Sequence, residues 1–258
     1  MWLVLWERRT VKITTGKKAV PRRVMLYGTH GIGKSSWAAQ APGVLFLNVE
    51  DGLNDIDCAR TDQVQTWEQV NAVIMWLANN QHQFRWLAID SVDWLEAIIH
   101  AQVAADAGKK SIADIGYGAG YKSAVVYWDK LLTGLDWLRK EKGIGVILLA
   151  HCAIKKHQDP TAESYDRYQP ALHDTASALL QEWCDEVLFA SYRVFTKKED
   201  QGFNRDRVIA SGNGERFVRC VETPTALAKN RLAMPEEIEF NWAAYAQYVS
   251  GVSSDAKG

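Results

Sequence analysis

Residues 28–35 place two glycines and a Lys-Ser pair at the spacing of a phosphate-binding loop. The stretch GTHGIGKS fits the pattern G-x-x-x-x-G-K-[ST], between the apolar run RVMLYG and a predicted helix over 34–41. In such a turn backbone N–H groups converge on phosphate oxygens, and the helix N-terminus adds its positive end. Lys34 is predicted to neutralise the β- and γ-phosphates, and the Ser35 hydroxyl to ligate Mg²⁺. The alternative is a glycine-rich turn that happens to carry Lys-Ser.

The whole loop is predicted to contact a nucleotide, and the predicted cofactors are ATP and Mg²⁺. The predicted contacts are Gly28, Thr29, His30, Gly31, Ile32, Gly33, Lys34, Ser35 and Ser36. Asp90 ends the apolar run WLAI, which is where a carboxylate holds Mg²⁺ in phosphoryl-transfer sites, so Ser35 and Asp90 are the predicted metal residues. The alternative for Asp90 is an ordinary helix N-cap.

A general base is predicted at Glu50. Many nucleotide hydrolases place a glutamate directly after the magnesium aspartate, but here that residue is Ser91, so the base must come from elsewhere. Glu50 ends the second apolar run, which is expected to lie beside the first strand, and a carboxylate there would orient and deprotonate water. Asp51 is the neighbouring candidate, and the alternative is that Glu50 is an exposed loop acid.

Alternating apolar runs and amphipathic segments predict an α/β fold as far as residue 151. The runs RVMLYG, GVLFLNV, FRWLAID and GVILLA are typical of strands covered on both faces. Thr66 with Gln69 predicts a capping box at one helix start, and Asp93 with Glu96 predicts a second cap. Strands alternating with helices predict a mainly parallel, twisted, doubly wound sheet whose ligands lie at the carboxyl ends of the strands.

The pattern changes beyond residue 151. Residues 152–172 are polar and predicted to be irregular, residues 174–183 are predicted to be helical, and short antiparallel strands are predicted after them. The predicted organisation is a basic N-terminal arm over 1–20, one domain over 21–245 and a disordered tail over 246–258. The arm is a candidate for contacting phosphates, for forming an edge strand or for touching another subunit.

Composition narrows the possible partners and locations. The net charge of −1 means that binding to a polyanion must come from local patches. The four cysteines form no CxxC pair, and the spacing of His151, Cys152, His157 and His173 fits no common zinc pattern, so no structural zinc is predicted. Apolar residues precede the charges at the N-terminus, unlike a secretory signal, and no run is long enough to span a membrane. The expected location is cytoplasmic.

These motifs in this order resemble the RecA-like ATPases, a family of α/β P-loop NTPases. The resemblance implies that Glu50, within LFLNVEDGLNDI, is the catalytic glutamate and that His151, at the end of VILLAH, senses the γ-phosphate. Many members carry glutamine at that sensor position, and the alternative is a histidine that caps the strand. Lys229 and Arg231 of AKNRLAMPEEIEF match a basic pair that reaches a neighbouring subunit's ATP, which implies a ring or filament; the alternative is a solvated basic strand.

More narrowly, the region from about Pro21 to Trp242 resembles phage-encoded RecA-like ATP-binding proteins, some of which serve in annealing or recombination. That resemblance implies single-stranded DNA as a partner, in the cytoplasm of an infected bacterial host, bound by loops over 107–122 and 152–172. Cations beside aromatic residues suit a groove that tracks the backbone and stacks bases. The DNA candidates are Lys109, Lys110, Tyr117, Lys122, Lys155, Lys156 and Arg167.

Three other interpretations of these loops and of the whole chain stay open. The loops are equally consistent with ordinary polar surface segments. The chain itself is also compatible with a DNA-annealing scaffold that ATP organises with little turnover, or with a P-loop kinase of a small acceptor.

Overall fold

A nine-stranded sheet forms the centre of the molecule, and the computed structural model describes residues 13–16, 20–161, 163–200 and 206–254. The strands, in chain order, are β1 (Arg23–Gly28), β2 (Val44–Asn48), β3 (Ala59–Arg60), β4 (Trp86–Asp90), β5 (Gly145–His157), β6 (Tyr165–Pro170), β7 (Glu186–Tyr192), β8 (Phe195–Asp200), β9 (Asp206–Ser211), β10 (Arg216–Arg219) and β11 (Glu237–Glu239). The helices are α1 (Lys34–Ala39), α2 (Trp67–Asn79), α3 (Val92–Asp106), α4 (Ala119–Trp137), α5 (Asp174–Trp183) and α6 (Trp242–Ser254).

The sheet is parallel through its middle and antiparallel at its C-terminal side. Its order is β11-β10-β7-β1-β5-β4-β2-β3, with β7 to β3 parallel, β10 and β11 antiparallel, and β6 paired antiparallel to the far half of β5. Strands β8 and β9 form a separate antiparallel pair. The predicted class, a mainly parallel sheet flanked by helices with antiparallel C-terminal strands, is therefore confirmed.

The neighbours of β1 differ from the prediction. We expected β2 beside β1, but β1 lies between β5 and β7, and β4 separates β2 from β5. All of these strands are buried apolar runs, so the pattern that identifies them does not distinguish one neighbour from another. The register still aligns their carboxyl ends, since Gly28 pairs with His151 and Asn48 pairs with Asp90.

One predicted helix cap is confirmed and the other is wrong. Thr66 and Gln69 form the reciprocal capping box that begins α2. At the start of α3, however, the N-cap is Ser91, and Asp93 and Glu96 lie inside the helix. Their carboxylates accept hydrogen bonds from the backbone amides of His151 and His173, so they tie α3 to the segments that follow it.

The region predicted to be irregular, 152–172, contains a β-hairpin. Strand β5 continues past the edge of the main sheet to His157 and pairs with β6 from Cys152 opposite Pro170 to His157 opposite Tyr165. Exposure alternates along this extension, which is typical of a strand with one face in solvent. Because one face of this hairpin is in solvent, its sequence is rich in polar residues, and such a sequence resembles that of a loop.

The C-terminal region is helical further than predicted. Helix α6 runs to Ser254, so it includes residues 246–254 of the stretch predicted to be a disordered tail. At the beginning of this helix, Trp242 and Tyr245 are buried against Trp37 of α1. Residues 255–258, and residues 1–12 and 17–19 of the basic arm, lie outside the described ranges. Within those ranges, the helices are all too short or too polar to cross a membrane.

Candidate nucleotide-binding site

The phosphate loop lies between β1 and α1, and two of its glycines are required by their surroundings. A Cβ on Gly28 would come within 2.5 Å of the carbonyl oxygen of Ala190 on the adjacent strand. Gly33 has φ +99°, and a Cβ there would lie 2.8 Å from Arg216 Nη1, which donates a hydrogen bond to the Ile32 carbonyl. The motif glycines therefore let strands β7 and β10 pack closely against the loop. Because α1 has only six residues, its dipole adds little to the site.

Lys34 is the buried cation of this loop. Its side chain is 6% exposed, and its ammonium donates to the carbonyl oxygens of Gly28 and Thr29 at 3.2 and 3.1 Å. Burial lowers the pKa of Lys34, while the carboxylates of Asp90, Asp93 and Glu50 act in the opposite direction. The ammonium is thus held inside the curve of the loop, where the sequence motif predicts a phosphate.

Asp90 is a buried carboxylate next to Ser35. Burial raises the pKa of Asp90, the hydrogen bond with Ser35 opposes that shift, and the charge of Glu50 raises the pKa further. The charges of Lys34 and His151 also oppose the shift, and the groups that Ser35 and Asp90 offer to an ion are a hydroxyl and a carboxylate oxygen. These residues therefore fit the magnesium ion that the motif implies.

One cavity of about 210 Å³ brings the predicted residues together. Its lining includes residues from the start of α1, the segment just after β2, the end of β4 and the middle of β5, which are Lys34, Ser35, Glu50, Asp90 and His151. The backbone amides of Val49 and Glu50 both donate to the Asp90 carbonyl at 3.0 Å, which fastens the end of β2 to the end of β4. Glu50 thus reaches the cavity although β2 does not border β1. Asp51 does not line the cavity.

Separate hydrogen bonds, to Ser91 and to Asp93, orient Glu50 and His151. Ser91 Oγ donates to Glu50 Oε2 at 3.1 Å, and Glu50 Oε1 lies 3.6 Å from His151 Nε2. The other ring nitrogen of His151, Nδ1, is 2.7 Å from Asp93 Oδ2, and the His151 amide donates to Asp93 Oδ1 at 3.0 Å. Burial acts to raise the pKa of Asp93, but these hydrogen bonds hold it below its usual value.

The role of Asp93 was missed by sequence reasoning. It was interpreted as a helix cap because an acid near a helix start is usually one. The signal that could have identified it is its position. Asp93 follows Asp90 by three residues, in the first turn of the helix that begins at the cavity end of the sheet.

Lys229 and Arg231 lie at the other end of the sheet. The Lys229 ammonium donates to the carbonyls of Gln181, Glu182 and Cys184 at 2.9, 3.2 and 2.8 Å, and so closes the C-terminal end of α5. Arg231 lies 3.2 Å from Asp185, which also pairs with Arg23 at the beginning of β1. The beginning and end of β1 are about 17 Å apart, so this pair does not enter the cavity of its own chain. Lys229 forms an isolated bridge with Val187, and Arg231 lies in a bend, so the pair does not belong to a strand.

The predicted DNA residues fall into two groups. Five are exposed and available to a partner: Lys109, Lys110, Tyr117, Lys122 and Lys156. Lys155 is bound to the Leu172 carbonyl and to Asp174. Arg167 is only 5% exposed and is ion-paired with Glu222, so the prediction that it contacts DNA is wrong for the folded chain.

The fold and the cavity define a P-loop nucleotide-binding protein. A family model described as "AAA domain" matches residues 20–232, which is most of the chain, and the chain belongs to that family. Among solved structures, it is similar to one titled "Crystal structure of the RadB recombinase", with 12% identity, a TM-score of 0.48, and coverage of 88% of this chain and 90% of that one. No curated protein sequence matches it.

Proposed function

We propose that this protein is a RecA-like ATPase that binds and hydrolyses Mg·ATP in the cavity at the carboxyl ends of β1, β2, β4 and β5. The observation that carries the proposal is that a single cavity is lined by a buried lysine, the serine of the motif, two carboxylates and the histidine of β5, which are Lys34, Ser35, Glu50, Asp90 and His151. Within the family motif, each of these groups has a distinct task in phosphoryl transfer.

Binding is assigned to the loop and to the pair Ser35 and Asp90. The loop amides and Lys34 hold the β- and γ-phosphates, and Ser35 with Asp90 would hold the magnesium ion, which supplies positive charge against the phosphate oxygens. Because Lys34 is buried among carbonyls, its ammonium is positioned before the nucleotide arrives. This arrangement lowers the reorganisation needed on binding.

Water activation is assigned to Glu50. Ser91 occupies Oε2, which leaves Oε1 directed towards His151 and the cavity. In that orientation Oε1 accepts a proton from water as it attacks the γ-phosphate. His151 is held by Asp93 through both its ring and its backbone, so it is placed to report the presence of the γ-phosphate to β5.

The proposed partner is single-stranded DNA, in recombination or annealing during phage infection. Support comes from the resemblance and from the exposed cations and tyrosine at Lys109, Lys110, Tyr117, Lys122 and Lys156, of which Lys156 lies on the same strand as His151. The test is ATPase activity with and without a single-stranded oligonucleotide over a salt series. Stimulation that weakens with salt is expected. Lack of stimulation at low salt, or stimulation unchanged in a combined Lys109→Ala, Lys110→Ala, Lys156→Ala variant, contradicts DNA as the partner of these loops.

Self-association is proposed to complete the site. Arg231 is the more available member of its pair, with a side chain 53% exposed, whereas the Lys229 ammonium is already bound by three carbonyls. An arginine supplied by a neighbour stabilises transition-state charge. Mixing Lys34→Ala and Arg231→Ala chains tests this, because the intact loop of an Arg231→Ala chain can be completed by the arginine of a Lys34→Ala neighbour. Recovery of turnover is expected, and a strictly additive, inactive mixture contradicts the assignment.

A further inference from the structure

We propose that His30, Glu50 and His151 form a second divalent-cation site, one that takes a transition-metal ion of the zinc class rather than magnesium. One ligand atom from each residue lies within 4.8 Å of the other two. The three come from the loop after β1, the end of β2 and the middle of β5, so no spacing in the sequence reveals them. The site is distinct from the hydroxyl and carboxylate pair of Ser35 and Asp90.

The distances are close to those of a coordinated ion. Three ligands about 2.1 Å from one tetrahedral metal lie roughly 3.4 Å from one another. Glu50 Oε1 and His151 Nε2 are already 3.6 Å apart. The ring of His30 stacks on that of His151, with centroids 3.7 Å apart and an angle of 17° between the planes. Because a metal lies in the plane of each imidazole that binds it, His30 must turn out of this stack to bind the ion, and its exposed side chain is free to do so.

Neighbouring groups hold two of the ligands in the form that a metal needs. Asp93 accepts the Nδ1 proton of His151, which leaves the lone pair of Nε2 free on the cavity side. This carboxylate–histidine arrangement recurs behind metal-bound histidines, where it fixes the tautomer and the ring orientation. Ser91 holds the second oxygen of Glu50 in the same way.

The ligand set selects the class of ion. Two imidazoles and one carboxylate suit zinc and similar first-row metals, whereas magnesium prefers oxygen ligands and retains water. Three protein ligands leave a fourth position open, facing the cavity. Since Glu50 is shared with the proposed water-activating step, an ion bound here competes with hydrolysis. Metal binding itself requires no nucleotide, so the two proposals can fail separately.

Titration with cobalt tests the site directly. Tag-free, chelator-treated full-length protein, without nucleotide, is titrated with Co²⁺ while the visible d–d bands are recorded, and Zn²⁺ is then added to displace it. We expect one equivalent per chain, at least tenfold weaker binding in His30→Ala and in His151→Asn, and roughly 10- to 100-fold weaker binding in Asp93→Asn. Because His30 is exposed, its variant is expected to keep the wild-type melting temperature, which is measured in parallel.

Matched controls separate this site from other ligands in the chain. His157→Ala removes a histidine about 20 Å further along β5, and Cys152→Ser removes the thiol next to His151; both are expected to bind Co²⁺ as the wild type does. Absence of saturable binding, wild-type affinity in His30→Ala, or loss of binding in either control overturns the proposal. Lys34→Ala is expected to lose Mg·ATP binding but to keep Co²⁺ binding, so failure of the nucleotide proposal is recognised independently.

Discussion

The charged residues at the two ends of strand β1 have different kinds of partner. At its carboxyl end, Lys34 is buried with a lowered pKa and Asp90 with a raised pKa, so both charged forms are disfavoured by their surroundings. At its amino end, Arg23 pairs with Asp185 at 3.0 Å and Arg22 pairs with the buried Glu186. Burial also raises the pKa of Glu186, so the two ends differ in their partners rather than in the direction of the pKa shifts. Arginines pair with the carboxylates at the amino end, whereas loop carbonyls hold Lys34 at the end that faces the cavity.

Two lysines from motifs predicted to contact ATP have different roles in the folded chain. Lys34 and Lys229 both belong to predicted ATP-contacting motifs, yet the ammonium of Lys229 closes the end of α5. Burial lowers the pKa of Lys229, and the charge of Arg231 lowers it further. Because three carbonyls of its own chain already bind the ammonium of Lys229, this residue stabilises the fold. Arg231 is therefore the better candidate for a contact between subunits.

The largest effect is expected on turnover at the carboxyl end. Glu50→Gln should lower the ATP hydrolysis rate by about 10²- to 10⁴-fold while Mg·ATP still binds, because the amide cannot accept the proton of the attacking water. Hydrolysis is measured by phosphate release and binding by a fluorescent nucleotide. The control is Asp51→Asn, at an exposed neighbour outside the cavity. A large loss in the control but not in Glu50→Gln would assign the base to Asp51, and preserved DNA annealing in Glu50→Gln would favour the low-turnover scaffold.

The next largest effect is expected on stability at the amino end. Asp185→Ala should lower the free energy of unfolding by about 3 kcal/mol, because the guanidinium and the backbone amide of Arg23 both lose their acceptor and the remaining ion pair, with Asp136, is longer at 3.4 Å. Asp90→Asn, at the carboxyl end, should leave the nucleotide-free protein equally stable or more stable, since it removes a carboxylate that burial disfavours. Urea unfolding of both variants measures the difference. Equal destabilisation would contradict the contrast between the two ends.

A pH dependence of intermediate size is expected from Glu96. Burial raises the pKa of Glu96 to about 7, although the backbone amide of His173 acts in the opposite direction. The folded-state pKa lies above the ordinary value of 4.5, so between pH 4.5 and about 7 the folded chain keeps a proton that the unfolded chain releases, and stability is lost as the pH rises through that window. Stability should therefore rise as the pH falls from 8 to 5, by on the order of 1–3 kcal/mol.

The control for that dependence is Glu96→Gln, which keeps an acceptor for the His173 amide. Thermal unfolding of the wild type and this variant from pH 5 to pH 8 should show a smaller slope in the variant. Parallel profiles would mean that Glu96 is not the group responsible.

The smallest effect is expected from the basic pair. Lys229→Met should lower the free energy of unfolding by about 1 kcal/mol, because the last carbonyls of α5 lose their donor. Arg231→Ala should change it by less than about 0.5 kcal/mol, as is usual for a half-exposed ion pair. Chemical unfolding of the two single variants at low protein concentration compares them. A larger effect from Arg231 would reverse the roles that we assign.

The sequence by itself determined the four central strands β1, β2, β4 and β5, the start of α2, and the chemistry of the loop. Motif spacing located Lys34 and Ser35, apolar runs located the strands, and Thr66 with Gln69 located the start of α2, since each of these depends only on residues close together in the chain. The position of Asp90 at a strand end is of the same kind.

Tertiary structure alone decided how distant segments meet. In the folded chain β5 lies between β1 and β4, and Asp93 is the partner of His151 rather than a helix cap. Arg167 is buried and paired with Glu222, and Lys229 lies at the end of the sheet away from the cavity. The sequence of an apolar strand does not show which strand lies next to it, and the sequence around a charged side chain does not show which group it pairs with. Both are settled by which arrangement buries the most apolar surface while leaving each buried polar group paired.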